Sequence, residues 1–262
     1  MTYTFYSTFL AIMVIIAVIV FIALQYLNAG YGYLRNSKWG PAINNKLGWI
    51  VMELPVFIAM LWGFIATKSY TNIAVTVMTS LMLIHYFQRS LIFPFLMKGK
   101  SQIPIAIVTM GFTFNLANAY MQGGWLFHFA PDGIYNIEWL KTPQFIIGTM
   151  VFLFGMGVNL HSDYIIRHLR KPGDTKHYIP KGGMFKYVSS ANYFGEFTEW
   201  VGFAILTWSL PGAIFALWTF ANLAPRANSL YHKYEEEFGE EFTSLKRKKI
   251  IPFMAFSVPK KY

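Results

Sequence analysis

Long apolar stretches alternate with short polar ones from the first residues to about position 224, and their lengths set the architecture. Runs close to the roughly 20 residues that cross a bilayer occupy 5–27, 48–67, 73–96, 103–129 and 143–160. Two shorter runs, 196–210 and 212–224, flank Ser209-Leu210-Pro211-Gly212, whose Pro-Gly step predicts a tight hairpin between two helices. The pattern predicts an all-α integral membrane protein of seven transmembrane helices, forming a single membrane domain. A polar outer connection at 129–142 divides it into helices 1–4 (1–142) and helices 5–7 with their loops and tail (143–262).

Composition agrees, with 55% hydrophobic, 19% aromatic and only 13% charged residues, against about a quarter charged in soluble domains. The formal charge of +10 is one-sided. Connections 28–47, 88–101 and 161–195 and the tail from 225 hold 20 of the 22 Lys and Arg residues, and only Lys68 and Lys141 fall on the other side. The positive-inside rule then puts the N-terminus outside and the C-terminus in the cytoplasm. Topology and attraction to anionic lipid account for most of this charge. No nucleic-acid partner is expected, since the aromatics lie in apolar segments rather than in a basic patch. The first six residues carry no Lys or Arg and no A-x-A site follows the first run, so it reads as an uncleaved helix. The absence of cysteine removes disulfides, thiolate nucleophiles and Cys-based metal sites.

Against this apolar background the polar residues stand out, because an ionisable group at membrane depth costs roughly 2.5 to 3.5 kcal/mol on the gentler scales and needs a partner. With the topology above, Glu53, His85, Tyr86, Arg89, Asn159, His161, Ser162, Asp163, Asn192, Glu196 and Arg226 all fall toward the cytoplasmic leaflet. Groups sharing one depth can line one cavity open to the cytosol, the arrangement suited to a polar cofactor acting on a lipid-borne substrate. Glu53, a lone carboxyl in WIVMELP, is favoured in its neutral, hydrogen-bond-donating form; the plainer alternative is a pair with Lys46 or Arg89. Tyr86 offers a second donor at similar depth, and two such donors can polarise a carbonyl.

Other residues leave two readings open. His85 is either a packing histidine or a ligand. Asn118 and Gln122, at i and i+4, serve as interhelical glue or as part of a cavity. Gly155 and Gly157 permit close helix packing. Arg167, Arg170 and Lys171 form either a solvated cluster or a phosphate site. The spacing of His161 and His168 matches no metal pair, so no metal is expected. Neither G-x-G-x-x-G after a strand nor G-x-x-x-x-G-K-[ST] occurs, so any nucleotide has to be held by the helices and loops themselves.

The segments GMGVNLHSDYIIRHLRKPG (155–173), IPKGGMFKYVSSANYFGEFTEWVGFA (179–204), TWSLP (207–211), IPF (251–253), ELP (53–55) and HYFQR (85–89) together resemble the steroid 5α-reductases, the 3-oxo-5α-steroid 4-dehydrogenases. The resemblance implies a seven-helix bundle, with helices 1–4 forming the steroid cavity and helices 5–7 with the cytosolic loops holding NADPH. It implies that Glu53 and Tyr86 hydrogen-bond the 3-oxo group. It also places Asn159, Asp163, Arg170, Asn192, Glu196, Arg226 and Tyr234 at cofactor-contacting positions, with Arg89 near the same site; Lys171 joins the expected cofactor contacts from the basic cluster beside Arg170. Met52, Gln88, Phe93, Lys100 and Leu230 depart from the family's pattern. The expected activity is NADPH-dependent reduction of the Δ4 double bond of a 3-oxo-Δ4 steroid, in a bacterial inner membrane with the cofactor site facing the cytoplasm. The alternatives are a reductase of another enone or lipid (a polyprenol, an enoyl-CoA, another sterol) and a membrane methyltransferase of the isoprenylcysteine type.

Overall fold

A computed structural model describes residues 2–27, 30–34, 37–171, 173–174 and 176–254. In chain order its helices are α1 (Tyr3–Tyr26), α2 (Asn45–Ala66), α3 (Ile73–Phe87), the short α4 (Phe93–Leu96), α5 (Ile105–Gly124), α6 (Pro143–His168), α7 (Ala191–Thr207), α8 (Leu210–Phe238) and the short α9 (Glu240–Thr243). Each of the seven apolar segments corresponds to a long helix among the described residues. Three of them, α1, α2 and α6, are long and apolar enough to cross a membrane. α1 shows why. It buries only the stripe Tyr6, Leu10, Met13 and Ala17, while Ile12, Ile15, Ile19 and Ile22 stay exposed. A helix apolar all round belongs against lipid on its outer side.

The closest helix contact is the antiparallel pair α6 and α7. A β-carbon at Gly148 would stand 2.3 Å from the backbone nitrogen of Leu206, and one at Gly155 2.2 Å from that of Glu199. Reciprocally, β-carbons at Gly195 and Gly202 would meet the backbone nitrogens of Asn159 and Phe152 at 2.4 and 2.3 Å. Small residues thus let the two backbones touch. Gly157, read together with Gly155 as a packing glycine, instead faces open space.

The hairpin expected from Ser-Leu-Pro-Gly joins α7 to α8. Trp208 adopts a left-handed conformation and the Ser209 hydroxyl accepts the amide hydrogen of Gly212 at 3.2 Å, capping α8. α1 is tied to α8 by Trp218 Nε1 donating to the Met13 carbonyl at 2.9 Å, and to α5 by the Tyr6 hydroxyl donating to the Met121 carbonyl. A central apolar cluster containing Met78, Met82, Tyr86, Phe152, Trp200 and Phe215 joins α3, α6, α7 and α8.

Four features differ from the sequence reading. The fold is not purely α: β1 (Ala42–Asn44) and β2 (Gln102–Pro104) form a short antiparallel pair with Ile43 opposite Ile103. Pro104 favours extended backbone at Ile103 before it, and Ile103 is buried against Gly48. α3 changes at Gln88–Ile92 to a π-turn, which carries Arg89; such turns are often found at functional sites. α7 begins at Ala191, five residues before the apolar run at 196–210, so its first turns carry Asn192 as well as Glu196. Finally, α6 continues to His168 and α8 passes through Pro225 to Phe238, so Arg226 is mid-helix and not at a helix end. Hydropathy falls after Ala224, but the helix continues because Leu223, Ala224 and Ala227 pack beneath Phe194 and Ile250. It stops at Gly239, whose φ is +50°.

Candidate active site

α5 is an apolar helix that buries three amide side chains, Asn115, Asn118 and Gln122. Their spacing, i, i+3 and i+7, puts them on one face. Asn115 Nδ2 donates to the Met52 carbonyl at 2.8 Å and to Glu53 Oε2 at 3.1 Å. Asn118 Nδ2 donates to the Tyr86 hydroxyl at 2.9 Å. Gln122 Nε2 donates to Asn118 Oδ1 at 3.3 Å and to the Pro211 carbonyl at 2.9 Å. Glu53 is partly buried and forms no ion pair with Lys46 or Arg89 within 4.0 Å, while Tyr86 is buried. Of the two readings open for Asn118 and Gln122, the interhelical contact is seen: Gln122 ties α5 to Pro211 at the start of α8, and Asn118 ties it to Tyr86 of α3. Asn115 escaped the sequence reading, although its place one turn before Asn118 on the same face could have shown it.

Arg89 joins three helices. Its guanidinium donates to Asp163 Oδ2 at 3.1 Å and to Glu196 Oε2 at 3.5 Å, and it lies over the rings of Trp49 (4.8 Å) and Phe93 (4.5 Å). One buried cation therefore faces two carboxylates, from α6 and α7. One turn back on α3, His85 Nδ1 meets Glu199 Oε1 at 2.8 Å, both side chains being buried, and its ring stands edge-on to Trp200 at 4.6 Å. His85 is thus held within the protein by a carboxylate partner and a ring contact. Glu199 was missed. The available signal was its position three residues after Glu196, on the same side of α7.

The remaining candidates fall into three neighbourhoods. Asn159 Nδ2 donates to the Asn192 carbonyl at 3.0 Å, joining α6 to α7 beside Asp163. The buried hydroxyls Ser162 Oγ and Ser190 Oγ near them have no partner among the described residues. Arg226 stands apart from the Arg89 cluster: it donates to the Tyr193 hydroxyl at 2.6 Å and to the Tyr31 carbonyl at 2.9 Å, over the Tyr31 ring. Tyr234 packs against Tyr33 and Phe242 farther along α8. Arg170 and Lys171 are exposed past the end of α6, and Arg170 lies near Tyr33, Tyr178 and Tyr234 rather than beside Asn159. There the Tyr33 hydroxyl donates to Glu237, and His177 Nδ1 meets the same carboxylate at 2.9 Å, linking the α1–α2 connection, the α6–α7 loop and α8. The Tyr33 hydrogen bond, followed by His177, holds the Glu237 carboxyl below its ordinary value, and the Tyr178 hydroxyl does the same to Asp174.

Among the described residues no three His, Asp or Glu side chains group as metal ligands. A largely apolar groove of about 570 Å³ between α2 and α5 is lined by Trp62, Leu116, Ala119, Tyr120 and Phe127. Its walls include neighbours of Asn115 and Asn118, but not Glu53, Tyr86 or Arg89.

The profile of the family described as 3-oxo-5-alpha-steroid 4-dehydrogenase matches residues 101–255. The chain is 39% identical over 241 residues to the 3-oxo-5-alpha-steroid 4-dehydrogenase 1 of Mus musculus, covering 91% of this chain and 92% of the relative. The chain belongs to this family. It is also 40% identical to the enzyme of the same description from Homo sapiens (87% of this chain, 86% of the relative) and 38% identical to the steroid 5-alpha-reductase DET2 of Arabidopsis thaliana (89% and 90%). As a member of the 3-oxo-5-alpha-steroid 4-dehydrogenase family it is an oxidoreductase, and its long lipid-compatible helices make it an integral membrane protein. The family match contains the amide face of α5 and the polar ends of α6 and α7, whereas Glu53, Tyr86 and Arg89 precede it.

Proposed function

We propose that the protein reduces the Δ4 double bond of 3-oxo-Δ4 steroids to 5α-dihydro steroids with NADPH, with Glu53 and Tyr86 as the groups that bind the 3-oxo oxygen. One observation carries this reading. Two protic side chains, Glu53 on α2 and Tyr86 on α3, are each held by an amide of α5, at positions about 4.5 Å apart along its axis. The names of the relatives, 3-oxo-5-alpha-steroid 4-dehydrogenase and steroid 5-alpha-reductase, support the substrate class. The part formed by residues 1–142 takes the lipid substrate. The part formed by 143–262 takes the cofactor. All seven helices cross the membrane, with the N-terminus outside and the basic connections, the cofactor site and the C-terminus in the cytoplasm.

The polar residues suit a nicotinamide dinucleotide. Ser162 and Ser190 present hydroxyls without a partner among the described residues beside Asn159, Asp163 and Asn192, and Arg89 sits between two carboxylates. This set offers acceptors for ribose hydroxyls and both donors and acceptors for a carboxamide. Arg89, Asn159, Asp163, Asn192, Glu196, Arg226 and Tyr234 would hold NADPH, with Arg170 and Lys171 at its phosphates. Hydride for C5 is the chemistry this cofactor supplies when bound.

The protein's own residues perform the rest. Neutral Glu53 and the Tyr86 hydroxyl donate to the 3-oxo oxygen, drawing electron density from the conjugated double bond and leaving C5 electron-poor. When the C5–H bond forms, the double-bond pair moves to give an enolate whose oxygen the same two donors stabilise. A single oxyanion donor is typically worth about 3 to 4 kcal/mol. A proton from water then completes C4. Burial of Tyr86 among Trp200, Phe152 and Phe215 strengthens its hydrogen bond by lowering the local dielectric.

The test is NADPH oxidation by the purified protein with a panel of 3-oxo-Δ4 steroids and enoyl thioesters, followed by assignment of the product configuration at C5. A 5α-dihydro steroid is expected. Turnover with thioesters alone, or none with any steroid, overturns the substrate assignment. NADPH should be preferred to NADH, and Arg170→Ala should raise the KM for NADPH more than that for NADH.

A further inference from the structure

We propose that Asn115, Asn118 and Gln122 are positioning residues that orient the two substrate-facing donors: the amide face of α5 decides which atom of Glu53 carries the proton and where the Tyr86 hydroxyl hydrogen points. This rests on the role assigned above to Glu53 and Tyr86.

An amide side chain has nearly the same shape when its oxygen and nitrogen are exchanged, so its orientation must come from its partners. Two backbone carbonyls, which can only accept, decide it here. Gln122 faces the Pro211 carbonyl, so the nitrogen is on that side. Its second N–H then reaches Asn118, which must present its oxygen. That places the Asn118 nitrogen against the Tyr86 oxygen. Asn115 is set independently by the Met52 carbonyl, and its other N–H meets Glu53 Oε2. Both hydrogens of Asn115 Nδ2 and both of Gln122 Nε2 are thereby used.

The consequence is chemical. A phenol oxygen that accepts from Asn118 has its single hydrogen free for another acceptor. A neutral carboxyl accepts an N–H better at its carbonyl oxygen than at its hydroxyl, so the bond from Asn115 to Oε2 favours the proton on Oε1. Each amide leaves its partner ready to donate to the substrate oxygen before the substrate arrives, so no reorientation is needed during the reaction. Gln122 anchors the series to Pro211 in the α7–α8 turn, which links the donor geometry of the substrate part to the helices of the cofactor part.

Double-mutant cycles test this. Asn118→Leu should lower kcat about tenfold, less than the loss of about 10² expected for Tyr86→Phe, with NADPH affinity unchanged. In a Tyr86→Phe background it should cause no further loss. Asn115→Leu should behave likewise toward Glu53→Ala, and Gln122→Met should reproduce a weaker Asn118→Leu. The carbonyl stretch of a bound 3-oxo steroid, shifted to low wavenumber in the wild type, should move back in Asn118→Leu and in Gln122→Met. This second readout, taken on Gln122→Met, decides the matter if Asn118→Leu does not fold. Equal fold-losses for Asn118→Leu in both backgrounds, or an unmoved carbonyl stretch, overturn the proposal. Near wild-type rates for Tyr86→Phe and Glu53→Ala would instead overturn the functional reading beneath it.

Discussion

Gly155 lies so close to Glu199 that a β-carbon on it would stand 2.2 Å from the Glu199 backbone nitrogen. The α6–α7 contact therefore sets the depth at which Asn159, Asp163, Glu196 and Glu199 face one another. Gly155→Ala should separate the helices, lowering the unfolding temperature in detergent and weakening NADPH binding, since overpacking costs typically about 1 to 3 kcal/mol. Gly157→Ala, into open space, should be neutral or stabilising by up to about 1 kcal/mol. Equal effects from the two substitutions would show that the contact does not organise the site.

Arg89 is paired to Asp163 and Glu196 inside the protein. Arg89→Met leaves two carboxylates facing each other without their cation and should cost about 3 to 5 kcal/mol, the usual penalty for breaking a buried pair. Adding Asp163→Asn and Glu196→Gln should recover much of the thermal stability without recovering NADPH binding. A triple variant no more stable than Arg89→Met would mean that Arg89 acts through its aromatic packing against Trp49 and Phe93 alone.

Glu53→Gln retains a donor of similar shape but weaker acidity, so it should keep more activity than Glu53→Ala. Removal of both Glu53 and Tyr86 donors should cost less than the sum of the single losses, as for groups acting on one oxygen. Steady-state rates, with NADPH affinity measured alongside, check this; a selective loss of NADPH affinity in Glu53→Ala would place Glu53 at the cofactor instead.

The clamp of Tyr33 and His177 on Glu237 has a defined pH dependence. Its carboxyl lies below its ordinary value of 4.5, chiefly through the Tyr33 hydrogen bond. Such a group stabilises the folded form above its unfolded value, and that contribution is lost as the pH falls through the lower folded value. Protease cleavage within 173–186 should thus accelerate below about pH 4.5, and Glu237→Gln should show the faster cleavage already at neutral pH. A rate in Glu237→Gln equal to that of wild type at pH 7 would remove the clamp from the loop's stability.

The one-sided distribution of basic residues predicts that a reporter fused after Tyr262 is cytoplasmic and one before Met1 external. Fusions active on the opposite sides would invert the proposed assignment of the cofactor site.

Apolar run length was enough to find every long helix, and turn chemistry was enough to find the Ser209–Gly212 hairpin, because partition into lipid and local backbone preference act residue by residue. Polar residues in such a chain are conspicuous for the same reason, so Glu53, Tyr86, Arg89, Asp163 and Glu196 could be singled out without coordinates. Pairing is a different kind of fact. That Arg89 faces Asp163 and Glu196, that His85 takes Glu199, and that Asn115 rather than Arg89 holds Glu53 depends on which helix faces meet and at what height. Those choices come from the glycine contacts of α6 with α7 and from the π-turn that rotates Arg89. The continuation of α8 past Pro225 likewise rests on Leu223, Ala224 and Ala227 packing against residues distant in the chain, contacts that hydropathy along a single segment cannot register.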